Sequence, residues 1–144
     1  MYKRQELIHE SVKTKAKIVT EDERELGIRA ILNFGHTYGH AIEAINNYKN
    51  VLHGEAVAMG MRMASKMSML EGHLNEKAYK KIINVFDELG FPKNTSNNYS
   101  DLKKFILSDK KVKGGNINLI LLKGIGLSFQ TQKLNSENFK KSFS

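Results

Sequence analysis

The spacing of apolar residues predicts a chain that is mainly helical. Residues 1–18 read as a helix, with Leu7, Val12 and Ala16 set among charges. Thr20-Glu21-Asp22-Glu23 has the form of a capping box, in which the Thr hydroxyl and Glu23 would satisfy orphan backbone N–H groups. The helix it opens would run to about Ile45, because Leu26, Ala30, Phe34, Ala41 and Ile45 roughly keep a 3.6-residue period. Gly35 and Gly39 fall inside that helix, and each costs about 1 kcal/mol against Ala. Close approach of a helix, a ligand or a cofactor would justify them. Asn46 to Asn50 reads as a turn. His53 to about Leu70 is apolar on several sides, with five methionines from Met59 to Met69, as expected of a central buried helix. Asn75 caps a further helix to Leu89, stopped by Gly90 and Pro92. Residues 93–99 form a polar loop, and Ser100-Asp101 opens a short helix ending near Ser108. A basic loop at 109–115 leads into alternating, β-branched residues at 116–122, a turn at 123–126 and a returning strand from Leu127. The tail from Asn135 reads as a short amphipathic helix. The expected fold is a helical, bundle-like single domain over residues 1–144, with a small β-hairpin near residues 116–132.

Bulk properties narrow the function. The 144 residues include no cysteine, which excludes disulfides and thiolate metal sites and agrees with a cytoplasmic location. No apolar run approaches the roughly 18 residues of a membrane span, and no apolar signal core follows Met1-Tyr2-Lys3-Arg4. The formal charge is +8, from 23 Lys and Arg against 15 Asp and Glu. Such an excess serves nucleic acid or an anionic small substrate. The cations are scattered and there is no Trp, so nucleic acid is the weaker of the two readings.

The distinguishing chemistry lies between Asn33 and Glu55. His36 and His40 are one helical turn apart, and His53 follows just before Gly54-Glu55. An i, i+4 pair projects from one helix face, and imidazole is both a common metal ligand and the usual acid–base group near neutrality. Three histidines could complete a catalytic zinc site with one open position. On a single long helix, Arg29 and Asn33 would share the face of His36, with Lys15 one element earlier. Arg, Lys and Asn beside a metal point to an anionic, oxygen-rich substrate. Lys110 and Lys111 could clamp a phosphate from their loop. Each of these residues has a plainer reading as well: Arg29 and Lys15 as a solvated face, Glu55 as a first-turn acid complementing the helix dipole, Lys110 and Lys111 as a solvated turn. His9 and His73 lack such context and read as surface residues.

The segments Lys15–Glu25, Arg29-Ala30-Ile31-Leu32-Asn33-Phe34-Gly35-His36-Thr37-Tyr38-Gly39-His40-Ala41-Ile42-Glu43 and His53-Gly54-Glu55-Ala56-Val57-Ala58-Met59-Gly60-Met61 resemble 3-dehydroquinate synthase. Asp109-Lys110-Lys111 and Ile120-Leu121-Leu122 through Gly126 resemble the C-terminal stretch of that family. The order of motifs holds over nearly the whole chain, and they are more specific for the sugar-phosphate cyclase superfamily than for one member of it.

The resemblance implies a reaction: 3-deoxy-D-arabino-heptulosonate 7-phosphate to 3-dehydroquinate and phosphate, in the shikimate pathway. NAD carries the transient oxidation and re-reduction. The resemblance also redistributes the histidines. It makes His36 and His53 ligands of Zn2+, or of another divalent ion such as Co2+, with a third ligand, a Glu, from a segment before Met1. It makes His40 a substrate-facing group, Lys15, Arg29 and Asn33 substrate-binding residues, and the Asp109-Lys110-Lys111 loop the source of a substrate-binding lysine, Lys110 in preference to Lys111. Nothing in the chain corresponds to the family's N-terminal NAD-binding domain: there is no Gly-rich turn after a strand and no βαβ unit. The expectation is therefore a C-terminal domain that is inactive alone, with the missing domain as partner and a homodimer as the full enzyme. Another sugar-phosphate cyclase, a metal-dependent polyol dehydrogenase, or a basic helical nucleic-acid module are the competing readings.

Overall fold

The computed structural model describes residues 2–93, 95, 98–108 and 117–143. They divide into two units, residues 1–32 and residues 33–144.

The first unit holds α1 (Tyr2–Glu21) and most of a 3-10 helix, Ile28–Asn33. Helix α1 is charged along its length, and Leu7, Ile8 and Val12 are exposed. It runs through Thr20, so the expected capping box does not form and no single helix extends to Ile45. Asp22 does the capping instead. Its carboxylate accepts hydrogen bonds from the backbone N–H groups of Leu26, Gly27 and Arg29 at 2.8–3.0 Å. Three donors converging on one side chain fold the chain into a turn rather than a continuing helix.

In the second unit the chain order is α2 (His36–Ile45), α3 (His53–Leu70), α4 (Glu76–Glu88), α5 (Tyr99–Ser108), β1 (Leu119–Gly124), β2 (Leu127–Thr131) and α6 (Ser136–Lys141). These match the expected helices and hairpin, apart from the start of α2. Gly35 sets that start, because its φ of 79° is left-handed and breaks the helical path. Asn75 caps α4 by accepting from Ala78 N–H at 2.8 Å, and Asn135 caps α6 in the same manner.

Helix α3 is the axis of the core. Ala56, Met59, Met63, Ala64 and Met67 are buried along it. Helix α2 crosses it at a contact with almost no side chain between the backbones. A Cβ on Gly35 would lie 2.6 Å from Met61 N, and one on Gly39 would lie 3.1 Å from Val57 Cα. The glycines flanking His36 are thus explained by a neighbouring helix. Strand β1 pairs antiparallel with β2, Leu119 opposite Thr131 and Leu121 opposite Phe129. Leu119 to Leu122 are all buried, so β1 is apolar on both faces and does not alternate. Ser68 ties it to α3, donating to Ala64 C=O at 2.6 Å and accepting from Leu122 N–H at 2.9 Å. Tyr38, Tyr99, Phe139 and Phe143 close the far side as an aromatic cluster.

Candidate functional site

His36 is the first residue of α2, His40 follows one turn later, and His53 is the first residue of α3. The close α2–α3 crossing brings all three rings together. Their centroids are 5.5 Å apart for His36–His40, 5.7 Å for His36–His53 and 6.3 Å for His40–His53. Two imidazoles on one zinc, with Zn–N near 2.0–2.1 Å, place their centroids roughly 5 Å apart. The His36 pairs lie nearest that spacing. Among the described residues, no group of three or more His, Asp or Glu side chains is arranged to hold a metal ion. The self-contained three-histidine centre weighed from the sequence is therefore not assembled.

Hydrogen bonds orient two of the rings. His36 Nδ1 lies 3.3 Å from Phe34 C=O. A carbonyl only accepts, so Nδ1 carries the proton and the neutral ring has its lone pair on Nε2. His53 Nδ1 lies 3.0 Å from Glu43 Oε1, which has the same consequence. Glu43 is buried, with a side chain 11% exposed, whereas the His53 side chain is 61% exposed. Glu55 has a local task, its Oε2 accepting from Leu52 N–H at 3.1 Å before the first turn of α3.

His40 lines a cavity of about 340 Å³ together with Thr37, Ala41, Ala44, Tyr48, Phe105 and Ile106. Thr37 is anchored by donating to Asn118 C=O at 3.1 Å. Among the described residues, no Lys or Arg lines this cavity. Asn33 is partly buried and ends the 3-10 helix. Arg29 lies in the other unit. Its backbone N–H is held by Asp22 and its guanidinium donates to Glu23 C=O. Lys15 is exposed on α1. The expectation that Arg29, Asn33 and His36 share one face of a continuous helix fails, because a turn, a 3-10 segment and left-handed Gly35 interrupt it. Lys110, with its neighbour Lys111, lies outside the described residues. His9 and His73 are exposed, as expected. Glu43 is the site residue the sequence reasoning missed. The available signal was its spacing, three residues after His40 and seven after His36 on one helix.

Comparison with known proteins identifies the family and the fold. The family described as 3-dehydroquinate synthase C-terminal matches residues 1–112. The 3-dehydroquinate synthase of Vesicomyosocius okutanii is 44% identical over 133 residues, covering 91% of this chain and 37% of the relative. That of Thermoanaerobacter pseudethanolicus is 43% identical over 125 residues, covering 83% and 34%. The chain thus spans little more than a third of the length of these relatives. Among solved structures, a 2-epi-5-epi-valiolone synthase from Streptomyces hygroscopicus with NAD+ and Zn2+ bound superposes with a TM-score of 0.84 at 19% identity, over 96% of this chain and 38% of that one. A 2-deoxy-scyllo-inosose synthase complexed with carbaglucose-6-phosphate, NAD+ and Co2+ gives 0.79 at 24% identity, over 92% and 39%. At such identities the structures establish a shared fold.

Proposed function

Because the chain belongs to the 3-dehydroquinate synthase C-terminal family, we propose that it forms the metal- and substrate-binding part of an enzyme that turns 3-deoxy-D-arabino-heptulosonate 7-phosphate into 3-dehydroquinate and phosphate. The observation that carries the reading is the triangle of imidazoles, 5.5–6.3 Å between centroids, at the α2–α3 crossing. Relatives named for this reaction at 40–45% identity favour it over other cyclases.

His36 and His53 are the metal ligands in this reading, each offering Nε2 while Nδ1–H is held by Phe34 C=O or Glu43. Imidazole donors without thiolates suit Zn2+ or Co2+. A bound ion would supply Lewis-acid polarisation of a substrate oxygen. The third protein ligand and NAD belong to a longer protein's N-terminal part, so the active site is divided and this chain alone makes no dehydroquinate. His40, on the cavity wall, passes a proton to or from the substrate or contacts its phosphate. Lys15, Arg29, Asn33 and Lys110 bind the substrate's carboxylate and phosphate through charge-assisted hydrogen bonds. Part of the +8 charge then steers an anionic substrate. The whole enzyme is a cytoplasmic homodimer.

Calorimetric titration with zinc tests the ligand assignment. Weak 1:1 binding is expected, abolished by His36→Ala or His53→Ala and spared by His40→Ala. Tight binding lost equally on His40→Ala would restore a three-histidine centre. Dehydroquinate formation by the isolated chain with NAD and zinc would overturn the divided active site. Assay of the longer parent protein with heptulosonate phosphate against other sugar phosphates separates this reaction from those of related cyclases.

A further inference from the structure

We infer that Glu43 is a positioning residue for the metal site: its carboxylate holds Nδ1–H of His53 and so fixes the ring tautomer that presents Nε2 as the ligating nitrogen. The inference rests on the reading of His53 as a ligand and extends it to the residue behind it.

The placement of Glu43 has no explanation in its own helix. It stands two residues before the end of α2 (His36–Ile45), where exposed carbonyl ends make the local potential negative and an acid is unfavourable. It is also only 9% exposed, and burying a carboxylate costs free energy unless it is hydrogen-bonded. Its side chain meets His53 at 3.0 Å, across to the neighbouring helix. The burial is lopsided, 11% exposure for the Glu43 side chain against 61% for His53. The carboxylate is thus built into the wall, and the ring projects outward from it.

The bond is chemically one-directional. An ionised carboxylate has no proton to donate, so the imidazole must carry hydrogen on Nδ1 and its lone pair on Nε2. That nitrogen is on the far side of the ring from Glu43. His36, His40 and Glu43 are at i, i+4 and i+7 of α2, which places both helix-borne histidines and the orienting carboxylate on one face. One helix face therefore supplies a ligand candidate and, through Glu43, the orientation of a second candidate on α3. Carboxylates that orient a metal-binding histidine typically contribute 10–100-fold to metal affinity.

Glu43→Gln separates positioning from a mere tie between helices. The amide is nearly isosteric and can accept from Nδ1–H or donate to a bare Nδ1, so it keeps a hydrogen bond but no longer dictates the tautomer. Long-range 1H–15N NMR of the metal-free chain at about pH 8, where imidazole is neutral, reads the tautomer directly. The wild type is expected to show His53 with Nδ1 protonated, and Glu43→Gln to populate both tautomers. Co2+ titration followed by visible absorption is expected to show affinity lowered several-fold by Glu43→Gln and about 10–100-fold by Glu43→Ala. An unchanged His53 tautomer and unchanged Co2+ affinity in Glu43→Gln would overturn the inference and leave Glu43 a structural tie. Should Glu43→Ala fail to fold, Glu43→Gln alone decides. Should the wild type take up no Co2+, the ligand assignment fails, while the tautomer still decides the role of Glu43.

Discussion

A single methyl group is more than the α2–α3 crossing can hold. A Cβ on Gly60 would collide with Gly35 C=O and stand 2.8 Å from Gly39 N, so the obstruction is backbone and not a side chain that can swing aside. Gly60→Ala is expected to cost about 1–3 kcal/mol as overpacking, seen as a lower midpoint in urea denaturation. Because Gly35 precedes His36, the same substitution should move the ring resonances of His36 and His53. Gly54→Ala is the control: nothing lies within 4 Å of its Cβ position in the first turn of α3, and Ala there is expected to gain about 0.5–1 kcal/mol. The sequence shows why such residues are only half legible. Gly35 and Gly39 stand out because they interrupt a helical pattern beside a histidine. Gly60 does not, since its reason lies on another helix some twenty residues earlier. Glu43 was half legible in the same way: its spacing puts it on the helix face of His36 and His40, but its partner, His53, lies ten residues on in another helix.

At the scale of elements, hydrophobic period located α3, α4 and the hairpin but misjudged the stretch between α1 and α2. Thr20–Glu23 looks like a helix start, yet α1 runs on through Thr20 and ends at Glu21, and Asp22 spends its oxygens on Leu26, Gly27 and Arg29 N–H. A capping pattern cannot tell which of two competing sets of backbone donors a carboxylate will serve. The choice has a pH signature. The Arg29 N–H, followed by that of Leu26, holds the Asp22 carboxyl below its ordinary value. A depressed folded-state pKa contributes stability that is present above the unfolded value, about 3.9, and is lost as pH falls through the folded value. Amide shifts of Leu26, Gly27 and Arg29 should therefore titrate together with a midpoint below 3.9, and Asp22→Asn should remove that titration. A midpoint at or above the ordinary carboxylate value would mean that the turn is not organised by the ionised side chain.

At the scale of the whole chain, the order of motifs was the strongest signal, because it runs across both units and needs no knowledge of their arrangement. The local chemistry alone pointed to a complete metal site, whereas among the described residues three imidazoles gather without making one. What the sequence could not disclose is how a cation is accommodated inside the second unit. Arg62 lies on the buried helix α3 at 8% exposure. Its guanidinium donates to Asp87 at 2.6 Å and Phe91 C=O at 3.3 Å and stacks over Phe86 at 5.3 Å, while Lys93 reaches the other Asp87 oxygen at 3.0 Å. Arg62, followed by Lys93, holds the Asp87 carboxyl below its usual range. The two ends of this pair are not equivalent. Removing Asp87 leaves a buried guanidinium without its counter-charge, whereas removing Arg62 leaves a carboxylate near the surface that still has Lys93 and water. Asp87→Ala is therefore expected to lower Tm more than Arg62→Met, in which an apolar side chain of similar length fills the space. The Asp87 contribution, present above the unfolded carboxylate value, should be lost as pH falls through the lower folded value, so the Tm gap between wild type and Asp87→Ala should close in acid. Thermal denaturation of the two variants across that range checks both points, and a larger loss from Arg62→Met would show that the stem packing and aromatic stacking of Arg62 outweigh its charge.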